Sequence, residues 1–151
     1  FEGEGQDLKN LFDEMSKSQS SIAKVLSKVA NSMTDVTGFG LAGHLLNIIS
    51  KSNVGAKLIL DKIPVYAGVN DLVAKDIRSS IFENNYMYSE SMFIKTNANI
   101  DILFDPQTSG PLLATVPKGK VKGVIGAGEK LGFECKVIGE LTNGRPFIEV
   151  L

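Results

Sequence analysis

Two short segments carry the side chains best suited to chemistry. The first, Thr34-Asp-Val-Thr-Gly-Phe-Gly-Leu-Ala-Gly-His44, sets a carboxylate (Asp35) and a hydroxyl (Thr37) just before Gly38 and Gly40. Behind that glycine turn, Leu41, Leu45, Ile48 and Ile49 recur at helical spacing, so a helix begins there. A helix start leaves free backbone N–H groups and a positive dipole end, which suits an anion, and glycine lets a ligand approach the backbone. Aspartate is a hard oxygen ligand for Mg²⁺ beside phosphates. The plainer alternatives stay open: Asp35 or Thr37 as helix cap, and Gly40 with Gly43 as a narrow face for close packing against a neighbouring helix or strand.

The second segment, Asp105-Pro-Gln-Thr-Ser-Gly110, puts a carboxylate, an amide, two hydroxyls and a glycine between apolar stretches. Pro106 pre-sets a turn, and Thr108, Ser109 and Gly110 could present donors to an anion. An ordinary polar turn is the alternative. Ser109 lacks the G-x-S-x-G setting of a hydrolase nucleophile. His44, the only histidine, lies beside the apolar stripe and reads as a hydrogen-bonded structural residue. Cys135 alternates with Phe133 and Val137, as a core strand residue would. Gly123-Val-Ile-Gly126-Ala-Gly128 lacks the order and preceding strand of a dinucleotide loop, and Lys118, Lys120 and Lys122 read as a solvated helix start.

Composition narrows the classes. A chain of 151 residues with 43% hydrophobic and 22% charged side chains is long enough for one self-sufficient core. A formal net charge of −1 argues against a nucleic-acid or anionic-membrane module. One cysteine excludes an intramolecular disulfide framework. No apolar run reaches a membrane span, and no signal pattern opens the chain, so a cytoplasmic location is expected. A chain opening at Phe1 is expected to be a piece of a longer protein.

The elements that must position these segments follow from periodicity. Residues 1–6 read as a polar entry. Leu8, Leu11, Phe12, Met15, Ile22, Leu26 and Val29 predict an amphipathic helix, or two pieces parted by the serine-rich stretch Ser16–Ser21, packed on the domain. The domain organisation expected is therefore a linker and helix over 1–30 and an α/β unit over 31–151. Strands are expected at Ala56–Leu60, Leu112–Val116, Phe133–Val137 and Pro146–Val150, the last closing a hairpin at Asn143-Gly144. A short helix is expected from Pro64, loop with a short helical turn over 76–100, a strand or turn at Ile100–Phe104, and a helix over Lys118–Leu131 capped by Gly132. Interleaved strands and helices give an α/β (equally α+β) sandwich with a mixed sheet.

Together the two segments strongly resemble the C-terminal half of selenophosphate synthetase (selenide, water dikinase), and Val137-Ile-Gly-Glu-Leu-Thr142 is similar to that family's closing strand. The first segment separates this family from relatives that share the fold: aminoimidazole ribonucleotide synthetase, thiamine-monophosphate kinase and the hydrogenase maturation factor. The resemblance implies a C-terminal domain of the aminoimidazole-ribonucleotide-synthetase superfamily, partly ferredoxin-like. It implies conversion of selenide, ATP and water to selenophosphate, AMP and phosphate with Mg²⁺. It carries a magnesium-ligand role onto Asp35, and a place near the cleft onto Thr37, Gly38, Thr108 and Ser109. The partners it implies are the protein's own N-terminal catalytic domain and a second copy in a homodimer. Two departures stand out. Gly110 is followed by Pro111 where the family often has a second glycine, which removes a backbone donor. The reactive cysteine or selenocysteine, its lysine and most metal-binding aspartates belong to the family's N-terminal domain and have no counterpart here, so the chain alone is expected to be inactive. The competing expectation is a structural or dimerisation module of a relative such as thiamine-monophosphate kinase or a hydrogenase maturation factor.

Overall fold

The computed structural model describes residues 5–94 and 98–151, with the backbone alone for 5–8. The entry reading for residues 1–4, the side chain of Leu8 and the loop reading at 95–97 lie outside the described residues; at residues 5 and 6 that entry reading is corrected, because the first helix already begins there. Helix α3 (Gly40–Ser52) is the centre of the fold. Leu45, Ile48 and Ile49 are buried as their spacing requires, and Ala42 and Leu46 are buried with them, so little of the helix surface faces solvent. Each large aliphatic side chain buried this way contributes roughly 1.5–3 kcal/mol. Asn53, in the left-handed region at φ 50°, ends the helix and turns the chain into β2 (Val54–Leu58).

Two small sheets flank this helix. The first pairs β1 (Ser32–Asp35) with β3 (Leu112–Thr115) antiparallel, placing Asp35 opposite Leu112. The second is mixed, with β2 between β4 (Gly139–Asn143), antiparallel to it, and β5 (Ile148–Val150), parallel to it. The chain bends at Gly144, φ 134°, directly after β4, but the strands on either side of Asn143-Gly144 do not pair with each other. The connection passes over the start of β2 instead, where a Cβ on Gly55 would stand 3.1 Å from the Arg145 carbonyl oxygen. The expected hairpin is thus a crossover around a central strand.

Helix α1 (Gly5–Met15) and helix α2 (Ser20–Leu26) are separate, parted at the serine-rich stretch. Ile22 and Leu26 are buried, and α2 contacts α6 (Val121–Lys130), which ends at Gly132 with φ 75°. Three other expectations are corrected. The β2 strand ends at Leu58, because Leu60 enters a 3₁₀ turn. The short helix α4 (Val69–Ala74) starts after Gly68, whose left-handed conformation (φ 81°) breaks the chain beyond Pro64. Residues 133–138 join no ladder: the Phe133 amide bonds the Gly128 carbonyl and Cys135 lies against Gly128, so this segment follows α6 rather than a sheet. Cys135 is accordingly half-buried rather than a core strand residue, and burial raises its thiol pKa.

The polar stretch expected as loop with a short helical turn contains helix α5 (Phe82–Ser89), longer than a single turn. Phe82 is buried against Phe104, ring centres 6.0 Å apart, and Tyr86 and Phe93 close on the same ring at 5.1 and 5.4 Å. Residues 101–103 form a 3₁₀ turn, and Leu103 and Phe104 are fully buried in this aromatic cluster, which anchors the chain just before Asp105.

Candidate functional site

Antiparallel pairing of β1 and β3 brings the exit of one strand beside the entry to the other. The first chemical segment leaves β1 and the second enters β3, so the topology sets them side by side. Backbone bonds continue past the strand ends: the Val36 amide donates to the Pro111 carbonyl and the Gln107 amide to the Thr37 carbonyl, both at 3.0 Å. Two glycines make that approach possible. A Cβ on Gly110 would overlap the Val36 carbonyl oxygen at 2.1 Å, and one on Gly40 would lie 2.8 Å from the Leu103 carbonyl oxygen. Gly40 also holds φ 66°, which side-chain-bearing residues resist. Its neighbour is therefore a turn backbone, rather than the helix or strand expected, while Gly43 makes room for Phe39 one helical turn earlier.

Gly38 differs. A Cβ there would meet nothing within 4 Å, and its φ is not positive, so neither packing nor conformation demands glycine. The residue is exposed, as are Asp35, Thr108 and Ser109, while Thr37 is half-buried. Neither Asp35 nor Thr37 caps α3; Phe39 holds the cap position and no side chain bonds the first turn. Thr37 is tied to His44 instead. The Thr37 amide donates to His44 Nε2 at 2.9 Å, with the Thr37 hydroxyl at 3.1 Å from the same nitrogen. The buried ring thereby braces the loop from within. Phe39 stands exposed over this brace, edge-on to His44 and 6.2 Å from Tyr88.

The second segment is held from both sides. Gln19 Nε2 donates to the Gly110 carbonyl at 2.8 Å, and the Ser109 hydroxyl to the Met15 carbonyl at 3.1 Å, tying the turn to the N-terminal helices. A residue that sequence reasoning missed completes the junction. Asn85, buried on α5, donates one amide hydrogen to the Gly38 carbonyl at 2.8 Å and the other to the Phe104 carbonyl at 2.9 Å. Asparagine is a poor helix-interior residue unless its amide has partners elsewhere, the one sequence cue available.

Asp105 is half-buried, and its carboxyl is raised above the ordinary aspartate range by loss of solvation, opposed by the hydrogen bond from Gln107. A raised folded pKa means the fold holds this proton more tightly than the unfolded chain does. Stability from that source is present below the unfolded pKa and is lost as pH rises through the folded one. Asp105→Asn is therefore expected to melt above the unsubstituted protein at about pH 7, with the gap closing toward about pH 4. A gap that stays constant across that range would show that desolvation of Asp105 is not its cause.

The Asp35 carboxylate, at the end of β1, has no hydrogen-bond or ion-pair partner among the described residues. Nor do three or more His, Cys, Asp or Glu side chains among them gather to hold a metal. One free hard-oxygen ligand fits a shared magnesium site but does not make a complete one.

A family model for the AIR synthase related protein C-terminal domain matches residues 1–150. The chain belongs to this family. Its relatives include selenide, water dikinase from Bordetella bronchiseptica, 40% identical over 122 residues, covering 79% of this chain and 35% of that protein. The enzyme of the same name from Haemophilus influenzae Rd is 39% identical over 124 residues, covering 80% and 36%. The chain thus spans about a third of the length of these relatives. A match over 79% of the chain necessarily includes both chemical segments. Solved structures agree on the fold: thiamine-monophosphate kinase from Stenotrophomonas maltophilia K279a, TM-score 0.59 at 20% identity over 83% of this chain and 32% of that one. E. coli HypE, a hydrogenase maturation protein, gives 0.62 at 14% identity over 90% and 36%. The mixed α+β architecture of this domain family is the one expected. Among the described residues no helix is long and apolar enough to cross a membrane.

Proposed function

We propose that this chain is the C-terminal domain of an ATP-dependent selenophosphate synthetase, which turns selenide, ATP and water into selenophosphate, AMP and phosphate. The observation that carries the reading is the 40% identity to a selenide, water dikinase across a stretch that includes both chemical segments. The junction supports it: exposed Asp35, Gly38, Thr108 and Ser109 and half-buried Thr37 lie on two segments bonded to each other. In this reading Asp35 supplies one carboxylate oxygen to the magnesium that accompanies the nucleotide. Gly38, free of any packing duty, leaves backbone open for the phosphates; the exposed Thr108 hydroxyl is the second segment's candidate contact, while Ser109, its hydroxyl bonded to the Met15 carbonyl, holds that turn in place.

Phosphoryl transfer relies on several positioned charges and a clamp on the triphosphate. One carboxylate supplies neither, so the nucleophile, the remaining ligands and the clamp come from an N-terminal catalytic domain outside these residues, within a homodimeric, cytoplasmic enzyme. The chain alone is inactive. The test assays the full-length protein for ATP-dependent turnover of selenide against thiamine monophosphate. AMP formation that requires selenide is expected; turnover of thiamine monophosphate without selenide would replace this reading with the kinase of the same fold.

A further inference from the structure

We propose that Asn85 is a positioning residue: its side-chain amide holds the Thr37–Gly40 loop and the Asp105–Gly110 turn in fixed register with each other. A carboxamide nitrogen has two hydrogens, and both are used across the junction, one on the Gly38 carbonyl and one on the Phe104 carbonyl. The acceptors lie on different segments, 47 and 19 residues from Asn85 in the chain, so no local turn makes this bridge. Asn85 is 6% exposed, which removes competition from water. Its helix is seated by Phe82 in the Phe104 ring cluster and by contacts with α3, so the amide is fixed to the same core as both loops. Gly38 and Asp105, the residues next to or at the two clamp points, bear on nucleotide contact, and this part of the inference rests on the reading under Proposed function.

Asp is nearly isosteric with Asn but reverses the chemistry. Ionised, it has no donor and sets an oxygen against each carbonyl; protonated, it regains one donor. Burial among carbonyl oxygens raises the pKa of such a carboxyl, so an Asn85→Asp protein would recover part of the clamp as pH falls. The experiment measures amide hydrogen-exchange protection and ATP kinetics in the full-length protein, for the unsubstituted form, Asn85→Asp and Ser89→Ala. The last removes a buried hydroxyl bond to the Asn85 carbonyl without touching the amide. Asn85→Asp is expected to lose about tenfold in protection in both peptides, 36–40 and 104–110, at about pH 8, with partial recovery near pH 6. KM for magnesium–ATP should rise about tenfold, with the same partial recovery. Ser89→Ala should leave both loops protected. Unchanged protection, loss in one loop only, or equal loss in Ser89→Ala would overturn the clamp; lost protection with unaltered KM would overturn its positioning role. Absence of selenide-dependent AMP in the unsubstituted protein would defeat the synthetase reading, while the protection data would still decide the clamp.

Discussion

Gly40→Ala is expected to destabilise the domain by about 3 kcal/mol, while Gly38→Ala, two residues earlier, changes stability by less than about 0.5 kcal/mol. Two costs add at Gly40. An L-residue at φ 66° pays roughly 1–2 kcal/mol for its left-handed conformation. A methyl 2.8 Å from the Leu103 carbonyl oxygen and 2.9 Å from the Phe104 carbonyl carbon must push backbone apart, an overpacking cost of about 1–3 kcal/mol. That backbone cannot yield cheaply, because Phe104 is locked among three aromatic rings. At this chain length the sum corresponds to a fall of about 6–12 °C in melting temperature. At Gly38 the space is open and φ is not positive, so alanine fits. Thermal melts of the two variants side by side check the contrast. Equal effects would mean that the junction is not held by close approach at Gly40.

The second large effect concerns activity rather than stability. Asp35→Asn in the full-length protein should lower selenide-dependent AMP formation by about 100- to 1000-fold, the scale seen when a group that stabilises transition-state charge is removed. Its melting temperature should hardly move, because the carboxylate is exposed and bonds nothing among the described residues. Asparagine keeps the shape and one neutral oxygen but loses the charge that favours a divalent cation, so added Mg²⁺ should restore part of the rate. Steady-state assays across a range of magnesium concentrations read both quantities. Near-normal turnover at ordinary magnesium would remove Asp35 from the site.

The parts of the fold legible in the sequence are those where local pattern and tertiary role agree. The α3 stripe, β3, the break between the first two helices and the Gly132 cap are of this kind. What escaped depended on partners distant in the chain. Ser-Met-Thr-Asp at 32–35 has too few apolar positions to read as a strand and becomes one by pairing with 112–115. Phe-Glu-Asn-Asn-Tyr-Met-Tyr-Ser at 82–89 has weak helical preference, which suggested only a short helical turn somewhere in 76–100; Phe82 in the aromatic cluster holds it as a helix of eight residues. Asn143-Gly144 announced a bend truthfully, but which strand lies between its flanks is a matter of topology. The two chemical segments were legible as words. That they share one junction, with Asn85 as the bridge, required the β1–β3 pairing.

We infer that this domain supplies one edge of a selenide-dependent, ATP-splitting site and cannot do the chemistry alone. The most direct test is AMP production from ATP by the purified 151-residue chain and by the full-length protein, each with and without selenide. Selenide-dependent AMP is expected from the full-length protein, and from the isolated chain none above a heat-killed control. Selenide-dependent AMP from the isolated chain, or none from the full-length protein, would contradict that inference.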